Sequence, residues 1–449
     1  MTASYWAARA LLPAGDGGGG TGDSGSRPPP GVVGTGVVVD CGDDGRVAAV
    51  RTGVARPPPG SVVLGGRDGL LLPGLVDAHS HAFHRALRGR AAGADFWAWR
   101  TTMYRVASRL DPDALLALAA AAFGEMLLAG ITTVHEFHYL HHPAGMDDAV
   151  CEAARRAGIR LVLLDTCYLR AGFDDTPLDP VQRRFSDGDV DRWAARAESV
   201  AAANRDVTVG AAVHSVRAAD PASMAAVAGW ARDRGVPLHL HLSEQPAEND
   251  ACLAATGRTP AELVHDHGVL GPTTTAVHCT HVTGRDVDLL GSTGTTACLC
   301  PTTERDLADG VGPAAALAAA GCGLRFGSDS HAVVDLFEEA RAVEVGERLV
   351  TGQRGHHRPA ALLAAATGGA VLAPGHPADL CAVRLDTARL AGADPADPVP
   401  MLVAAATAAD VVDTVVGGRH VVRGGSHAAR DVAADLRAAI AAVDPCGTS

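Results

Sequence analysis

The middle of the chain alternates short apolar runs with Ala-rich stretches from Leu70 onward. The apolar runs have the length and bounding turn residues of buried strands, whereas the Ala-rich stretches favour helices. Eight strand candidates follow one another, as LLLPGLVDA, ITTVHEFH, IRLVLLDTC, VTVGAAVH, VPLHLHL, TTTAVHC, TTACLC and CGLRFGS. Eight strands that alternate with helices predict an α/β fold, a (β/α)8 barrel of the TIM type, over residues 69–369.

Shorter β-like runs stand on both sides of this region. They are GVVVDC, RVAAVR and SVVLGG before it, and ADLCAVRL and VVDTVVGGRHVVRGG after it. We expect residues 1–68 and 370–449 to form one small β-sandwich domain beside the barrel, with a tail at the C-terminus. Residues 15–30, GDGGGGTGDSGSRPPP, hold no hydrophobic side chain and predict a flexible loop.

The composition narrows the class of protein. Hydrophobic residues make up 47% of the 449 residues, which is enough for a sizeable core. The net charge of −13 argues against nucleic acid and anionic membranes as partners. The chain has no run of apolar residues long enough to span a membrane, and its N-terminus lacks the basic start and apolar core of a signal peptide. We therefore expect a soluble cytoplasmic protein.

The ten cysteines form no CxxC pair and have no regular spacing. A disulfide framework or a zinc ribbon would need such a pattern. The cysteines are therefore predicted to be buried free thiols.

Polar side chains stand at the carboxyl ends of almost all the strand candidates. Barrel enzymes carry their catalytic groups at these ends. In chain order the residues are His79 and His81, Glu136, His138 and Tyr139, His214 and Arg217, His239, His241 and Glu244, His278 and His281, and Asp329. A random scatter of the 20 histidines would not produce this arrangement, which predicts a functional site at one end of the barrel.

His79 and His81 are two residues apart, so on a strand their imidazoles point in the same direction. An isolated pair of this kind is weak evidence for a metal site, because two histidines on a solvated loop can have the same spacing. Together with His241 and Asp329 the pair makes a set that suits zinc, with iron and manganese as alternatives. The 38 basic residues in the Lys+Arg count are all arginine. No carbamylated lysine can bridge two metals, so we expect one metal per chain.

Two further residues are candidates for proton transfer and charge stabilisation. Glu244 follows His241 closely and can act as general acid and base on a substrate atom, although a glutamate on a loop is ordinarily just solvated. His278 can polarise a water or stabilise a developing oxyanion. We interpret His239 and His281 as supporting or core residues that hold the tautomers of the ligands.

Several longer blocks resemble known families. PGLVDAHSHAFHRAL, HLHLSEQ, AVHCTH, GSDSH and PGHPADL resemble the amidohydrolase superfamily, in particular its mononuclear deaminase branch. A further set is similar to the formimidoylglutamate deiminase family, namely FWAWRTTMYRVASRL, GITTVHEFHYLHH, HSVR, QRRF and LCPTTERDLADG. The resemblance extends from about Leu70 to beyond Arg341 and covers most of the predicted barrel.

The resemblance implies a reaction and a set of residues. The reaction is the hydrolysis of N-formimino-L-glutamate to N-formyl-L-glutamate and ammonia in histidine degradation, by a homodimer with one zinc ion per chain. The positions that match the family's zinc ligands are His79, His81, His241 and Asp329. Glu244 and His278 match its catalytic acid/base and its oxyanion-side histidine. The substrate-contact positions are matched by Arg100, Tyr139, His214 and Arg217.

One position departs from the family pattern. The family usually has HSHAFQR, and this chain has His84 in place of the glutamine. The glutamine is expected near the substrate, so the departure predicts a changed substrate preference or pH dependence. The Gly- and Pro-rich segment near the N-terminus also departs, far from the predicted chemistry.

The chemistry of a formimino group agrees with this resemblance. Its hydrolysis needs a hydroxide near neutral pH, which a zinc ion provides by lowering the pKa of a bound water to about 7. Glu244 would protonate the imino nitrogen, and Asp329 would take a proton from the water. Arg100 and Arg217 would pair with the two carboxylates of the substrate, although either arginine alone could equally form a surface ion pair.

Two other functions remain open from the sequence. One is another mononuclear amidohydrolase, such as a deaminase of a purine, pyrimidine or pterin ring, or a chlorohydrolase. The other is a barrel without catalysis that serves in binding or assembly. Within the favoured function, the sequence leaves open whether formimino-glutamate or its aspartate homologue is the substrate.

Overall fold

The computed structural model describes residues 3–14, 31–90, 96–174 and 176–444, and the predicted loop at residues 15–30 lies outside these ranges. Two sheets organise the described residues. The first begins with the N-terminal strands β1 (Ser4–Leu12), β2 (Val32–Cys41), β3 (Val47–Arg51), β4 (Val62–Val63) and β5 (Gly69–Pro73). Strand β1 is antiparallel to β2 but parallel to β4 and β5, so this sheet is mixed.

The second sheet is an eight-stranded parallel barrel in which each strand pairs with the next one along the chain. Its strands are β6 (Leu75–Ser80), β7 (Ile131–His138), β8 (Arg160–Cys167), β9 (Thr208–Val213), β10 (Leu238–Leu242), β11 (Thr274–His278), β12 (Thr296–Leu299) and β13 (Leu324–Phe326). A parallel bridge between Ser80 and Asp329 brings β6 to the segment that follows β13. The predicted α/β barrel is confirmed.

The C-terminal segment returns to the first sheet as β14 (Leu380–Arg384), β15 (Val411–Val416), β16 (Arg419–Arg423) and β17 (Ser426–His427). Strand β14 pairs antiparallel with β5, and Leu380 lies opposite Pro73. Tyr5, Val37 and Val415 share a buried cluster of apolar side chains on this sheet. The prediction that the N-terminal and C-terminal segments form one β-structure is confirmed.

Helices lie between the barrel strands and beyond them. The α-helices are α1 (Phe96–Arg109), α2 (Pro112–Leu128), α3 (Met146–Ala157), α4 (Val190–Ala203), α5 (Pro221–Arg234), α6 (Pro246–Thr256), α7 (Pro260–Asp266), α8 (Gly284–Ser292), α9 (Pro301–Asp306), α10 (Ala314–Ala320), α11 (Leu336–Thr351), α12 (Pro359–Ala366), α13 (Val399–Ala405) and α14 (Val432–Val443). Short 3-10 helices occupy Gly66–Asp68, Ala82–Leu87, Gln182–Arg184 and Ala408–Asp410.

Local sequence explains where many of these helices begin. Helix α5 starts with Pro221, whose missing N–H costs nothing in the first turn. The carboxylate of Asp220 accepts hydrogen bonds from the backbone N–H groups of Ala222 and Ser223. A cap of this kind contributes about 1 kcal/mol to helix stability.

The apolar run LLLPGLVDA, predicted as one strand, is divided between the two sheets at Gly74. A Cβ atom at Gly74 would lie 2.1 Å from the Oγ1 atom of Thr132, so only glycine fits there. The N–H of Gly74 donates to the carbonyl oxygen of Asp379, the residue that precedes β14. The chain passes at this point from β5 into the first barrel strand, β6.

The nine cysteines in the described ranges are all buried and unpaired. No helix among the described residues combines the length and the apolar character needed to cross a membrane.

Candidate metal and substrate site

Three imidazole nitrogens and one carboxylate oxygen converge at the carboxyl end of the barrel. The Nε2 atom of His241 lies 3.2 Å from Nε2 of His79 and 3.3 Å from Nε2 of His81. The Oδ1 atom of Asp329 lies 3.2 Å from Nε2 of His79 and 3.4 Å from Nε2 of His81. All four side chains are buried. The structure therefore brings the four predicted ligands together.

Backbone carbonyl groups orient two of these imidazoles. The Nδ1 atom of His81 lies 2.8 Å from the carbonyl oxygen of Phe137, and Nδ1 of His241 lies 2.8 Å from the carbonyl oxygen of His214. Because a carbonyl oxygen can only accept, Nδ1 carries the hydrogen in both rings and Nε2 presents its lone pair to the centre.

His239 and His281, predicted as supporting or core residues that hold the ligand tautomers, make other contacts. The ring of His239 is 5.4 Å from that of His135, centroid to centroid. The Nε2 atom of His281 lies 2.8 Å from the carbonyl oxygen of Asp309. Neither histidine supplies the contacts that orient His81 and His241.

The donor set fits a divalent metal. Burial lowers the pKa values of His79, His81 and His241, which keeps these imidazoles in the neutral form that binds metals. A tetrahedral zinc site with Zn–N bonds of about 2.0–2.1 Å separates its donor atoms by about 3.3 Å. The observed separations of 3.2–3.4 Å agree with this value. Without a cation, three lone pairs and a carboxylate at such distances would repel one another.

Two other buried groups in the described ranges each contain three side chains that could bind a metal. Neither forms an independent site as favourable as the four-residue set. The first consists of His138, His141 and Asp147. The Nη1 atom of Arg196 lies 3.0 Å from Oδ1 of Asp147, so this carboxylate already has a cationic partner that would repel a metal. The second group, His278, Cys300 and Asp329, shares its aspartate with the four-ligand set.

Buried acids hold the His79–His81 segment in place. The carboxylate of Glu136 accepts hydrogen bonds of 2.7 Å from both the Ser80 hydroxyl and the Ala82 N–H. The carboxylate of Asp77 accepts from the hydroxyl of Ser328 at 2.6 Å. Glu136, one of the polar residues noted at the strand ends, thus supports the ligand backbone.

Glu244 and His278 lie beside the four ligands. Ser243 has a left-handed φ of 54°, which turns the chain at the end of β10 and directs Glu244 toward the site. The Oε1 atom of Glu244 lies 3.8 Å from Nε2 of His278, and Oδ2 of Asp329 lies 3.9 Å from the same nitrogen. Burial raises the pKa of Glu244 to about 7, against the opposing charge of His278. A carboxyl with this pKa can both donate and accept a proton near neutral pH.

His278 is held from its other side by Glu304, in the first turns of α9. The Oε1 atom of Glu304 lies 3.4 Å from Nδ1 of His278 and accepts a 2.9 Å hydrogen bond from the N–H of Cys300. Burial opposes a charge on His278, but Glu244, Glu304 and Asp329 together raise its pKa above the usual value. Nε2 is thereby available as a donor toward the site.

A cavity opens beside these groups and contains every predicted substrate-contact residue. Its lining includes Arg100, Tyr139, His214, Arg217 and His84 together with Glu244, His278, and the ligands His81, His241 and Asp329. Arg217 lies 4.0 Å from Glu248, measured from Nε to Oε1. The cavity therefore joins cationic groups and the candidate ligands in one space.

His84 lies on the 3-10 helix Ala82–Leu87 and is buried. Its Nε2 atom is 2.8 Å from the hydroxyl oxygen of Tyr139. Burial lowers the pKa of His84 to about 3, so the ring is neutral across the physiological range. The departure from the family pattern therefore adds no group that titrates near neutral pH.

Much of the lining of the cavity, including its apolar and aromatic wall, was not predicted from the sequence. The missed lining residues are Trp99, Met103, Tyr104, Tyr168, Phe185, Ser215, Glu248 and Leu307. The signal for Tyr104 was present, since it follows Arg100 by one helical turn and lies on the same face of α1. Phe185 belongs to the block QRRF, whose role was not assigned.

Known proteins resemble this chain in sequence and in fold. Formimidoylglutamate deiminase of Pseudomonas aeruginosa is 36% identical to this chain, with 81% of this chain and 87% of that protein covered. 8-Oxoguanine deaminase of the same organism is 32% identical, with coverages of 87% and 91%. A zinc-bound adenosine deaminase from Xanthomonas campestris has a TM-score of 0.82 at 24% identity, over 97% of this chain and 96% of that one.

A parallel barrel with three imidazoles and a carboxylate at the carboxyl ends of its strands is an arrangement that suits a metal-dependent hydrolase. The profile of the Amidohydrolase family matches residues 70–421. The chain belongs to the amidohydrolase family and is a hydrolytic enzyme that acts on C–N bonds.

Proposed function

We propose that this enzyme hydrolyses N-formimino-L-glutamate to N-formyl-L-glutamate and ammonia, a step of histidine degradation. The observation that carries the proposal is that Arg100 and Arg217 line the same cavity as Glu244 and His278. A substrate with two carboxylates needs cationic partners, and guanidinium groups bind carboxylates through paired hydrogen bonds. The 36% identity to formimidoylglutamate deiminase over 81% of the chain supports the same substrate.

His79, His81, His241 and Asp329 would hold one divalent metal, which we propose to be zinc. When bound, such a metal lowers the pKa of water to about 7 and so supplies a nucleophile near neutral pH. The protein's own side chains would carry out the proton transfers and stabilise the developing charge.

Glu244 would act on the nitrogen that leaves. Burial raises its pKa to about 7, so a large fraction of the carboxyl is protonated at neutral pH and can protonate the imino nitrogen. Attack of water on the formimino carbon forms the new C–O bond. Loss of ammonia then breaks the C–N bond and leaves the formyl group on the nitrogen of glutamate.

Asp329 would transfer a proton, and His278 would stabilise the developing negative charge. The Oδ1 atom of Asp329 faces the imidazoles of the ligands, whereas Oδ2 faces His278 at 3.9 Å. Oδ2 is therefore the oxygen placed to accept a proton from the attacking water and to pass it to the departing ammonia. The Nε2–H group of His278 would stabilise the negative charge that develops on oxygen.

A second candidate is the deamination of a ring amine. It is favoured by the aromatic wall of the cavity, which includes Trp99, Tyr104, Tyr168 and Phe185. It is also supported by the 32% identity to 8-oxoguanine deaminase. Ring amines, however, have no carboxylates that would use Arg100 and Arg217.

One assay of ammonia release distinguishes the two candidate functions. The zinc-loaded enzyme is offered N-formimino-L-glutamate, N-formimino-L-aspartate, 8-oxoguanine and adenosine under the same conditions. The proposal expects the highest kcat/KM with N-formimino-L-glutamate, and a higher value with the aspartate homologue would keep the reaction but overturn this substrate. A higher kcat/KM with either ring amine would overturn it.

A further inference from the structure

The block QRRF forms the 3-10 helix Gln182–Arg184 and the residue after it, between β8 and α4. The side chain of Gln182 is buried, at 6% exposure. Its Oε1 atom accepts a 2.9 Å hydrogen bond from the backbone N–H of Asp179. Because a backbone N–H can only donate, the oxygen of the amide must face Asp179, and the NH2 group must face the opposite way.

The NH2 group of Gln182 faces two phenol oxygens. Nε2 lies 3.1 Å from the hydroxyl oxygen of Tyr168 and 3.4 Å from that of Tyr104. An amide nitrogen has two hydrogens, so it can donate one to each tyrosine. Both phenol oxygens are therefore acceptors toward Gln182, and each phenol keeps its own hydrogen for another partner.

The same reasoning applies at Tyr168, which lines the cavity together with Arg217. Its hydroxyl oxygen accepts from the amide of Gln182, so its own hydrogen points toward an acceptor in another direction. At Tyr104, burial raises the pKa to about 12, which keeps this phenol protonated and able to donate.

The two hydroxyls lie among the cationic residues of the cavity. The guanidinium carbon of Arg100 is 5.6 Å from the centroid of the Tyr104 ring. Arg100, Arg217, Tyr104 and Tyr168 all line the same cavity. Glu248 also lines this cavity and lies 4.0 Å from Arg217 on one side. The two guanidinium groups and the two hydroxyl donors together still exceed what this one carboxylate uses, so they suit a second group that has acceptors only, such as a substrate carboxylate.

We propose that Gln182 is a positioning residue that sets the polarity of a carboxylate subsite, by making the hydroxyls of Tyr104 and Tyr168 donate into the cavity beside Arg100 and Arg217. The inference rests on the proposed function, because it assumes a substrate with carboxylates. Gln182 itself does not line the cavity, so it would favour a carboxylate only through the two tyrosines.

The test reverses the polarity of the amide without changing its size. Gln182→Glu replaces two donors by acceptors, so the phenol hydrogens turn toward residue 182. The new charge would also repel a carboxylate. KM for N-formimino-L-glutamate should rise about 10- to 100-fold, with kcat within about threefold of wild type. Gln182→Met, which removes the donors without adding charge, should raise KM about three- to 10-fold.

Two controls separate positioning from general damage to the fold. N-Ethylformamidine carries the reacting group without carboxylates, so its kcat/KM should be unchanged in both variants. Gln353→Glu makes the same substitution at an exposed position and should leave all constants unchanged. In a Tyr104→Phe, Tyr168→Phe background, Gln182→Met should have no further effect on KM, because its partners are gone.

Binding of glutarate, measured by calorimetry, tests the subsite without turnover. Wild type should bind this dicarboxylate, and Gln182→Glu should weaken its binding about 10-fold or more. If wild type binds glutarate in this way but does not release ammonia from either formimino acid, the proposed function fails and the subsite stands. The subsite is overturned if wild type does not bind glutarate, or if folded Gln182 variants match wild type in KM and in glutarate binding.

Discussion

The Oε1 atom of Glu244 lies 3.8 Å from the Nε2 atom of His278, beside the four candidate metal ligands. Each residue affects the protonation of the other. Burial raises the pKa of Glu244, and the carboxylates around His278, first among them Glu244, raise the pKa of the imidazole against the effect of its own burial. The two side chains are therefore coupled electrostatically, and Glu244 is the one whose raised pKa suits proton transfer near neutral pH.

Replacement of Glu244 by Gln should remove most of the turnover. The amide keeps the size of the side chain but cannot donate and accept a proton in turn, and general acid–base groups contribute about 10²- to 10⁴-fold to rate. Metal content, measured by elemental analysis, should stay near that of wild type. Activity within a few-fold of wild type would assign proton transfer to another residue.

The pH dependence of the reaction should follow the raised pKa of Glu244. The residue acts as an acid in its protonated form, which is present below a pKa of about 7 and is lost as the pH rises through that value. kcat/KM should therefore decrease above about pH 7. The residual activity of Glu244→Gln should lack this decrease, and the same limb in that variant would contradict the assignment.

Metal analysis should find about one divalent ion per chain, with zinc as the main species. The four ligands form one site, and the chain has no lysine to bridge a second metal. Removal of the metal by a chelator should abolish activity and also lower the thermal midpoint, because the four donors would repel one another without a cation. Two equivalents retained after extensive dialysis would contradict the single site.

Replacement of Arg217 by Met should lower kcat/KM for N-formimino-L-glutamate by about 30-fold to a few thousand-fold. Loss of one member of a buried, hydrogen-bonded charge pair typically costs about 2–5 kcal/mol. Arg100→Met should give a loss of the same kind if Arg100 binds the other carboxylate. The matched control is Arg192→Met, since the Arg192 side chain is 75% exposed on the surface of α4. Normal kinetics in Arg217→Met would argue against a dicarboxylate substrate.

Replacement of His84 by Gln should leave the pH profile unchanged between about pH 6 and 8. An exposed histidine titrates in this range, but burial lowers the pKa of His84 to about 3 and keeps the ring neutral. The comparison needs kcat/KM for both formimino acids at each pH. A shifted profile would mean that His84 gains a proton during the reaction.

The sequence alone determined the architecture and which side chains could form a metal site. Apolar runs that alternate with helical stretches are a local signal, and the predicted strand ITTVHEFH coincides with β7. The ligands could be found because parallel strands place their carboxyl ends together, so residues at strand ends meet whatever the details of packing. For the same reason His278, at the end of the next strand, could be predicted to lie near His241.

Only the tertiary structure decided how the site is held and what surrounds it. The carbonyl groups of Phe137 and His214 orient the ligands, and no sequence pattern marks a backbone carbonyl as a partner. Gln182 meets Tyr104 across 78 residues of chain, and the pKa of His84 depends on its burial. These properties arise from contacts between segments far apart in the chain, and such contacts exist only once the barrel has closed and its loops have packed together.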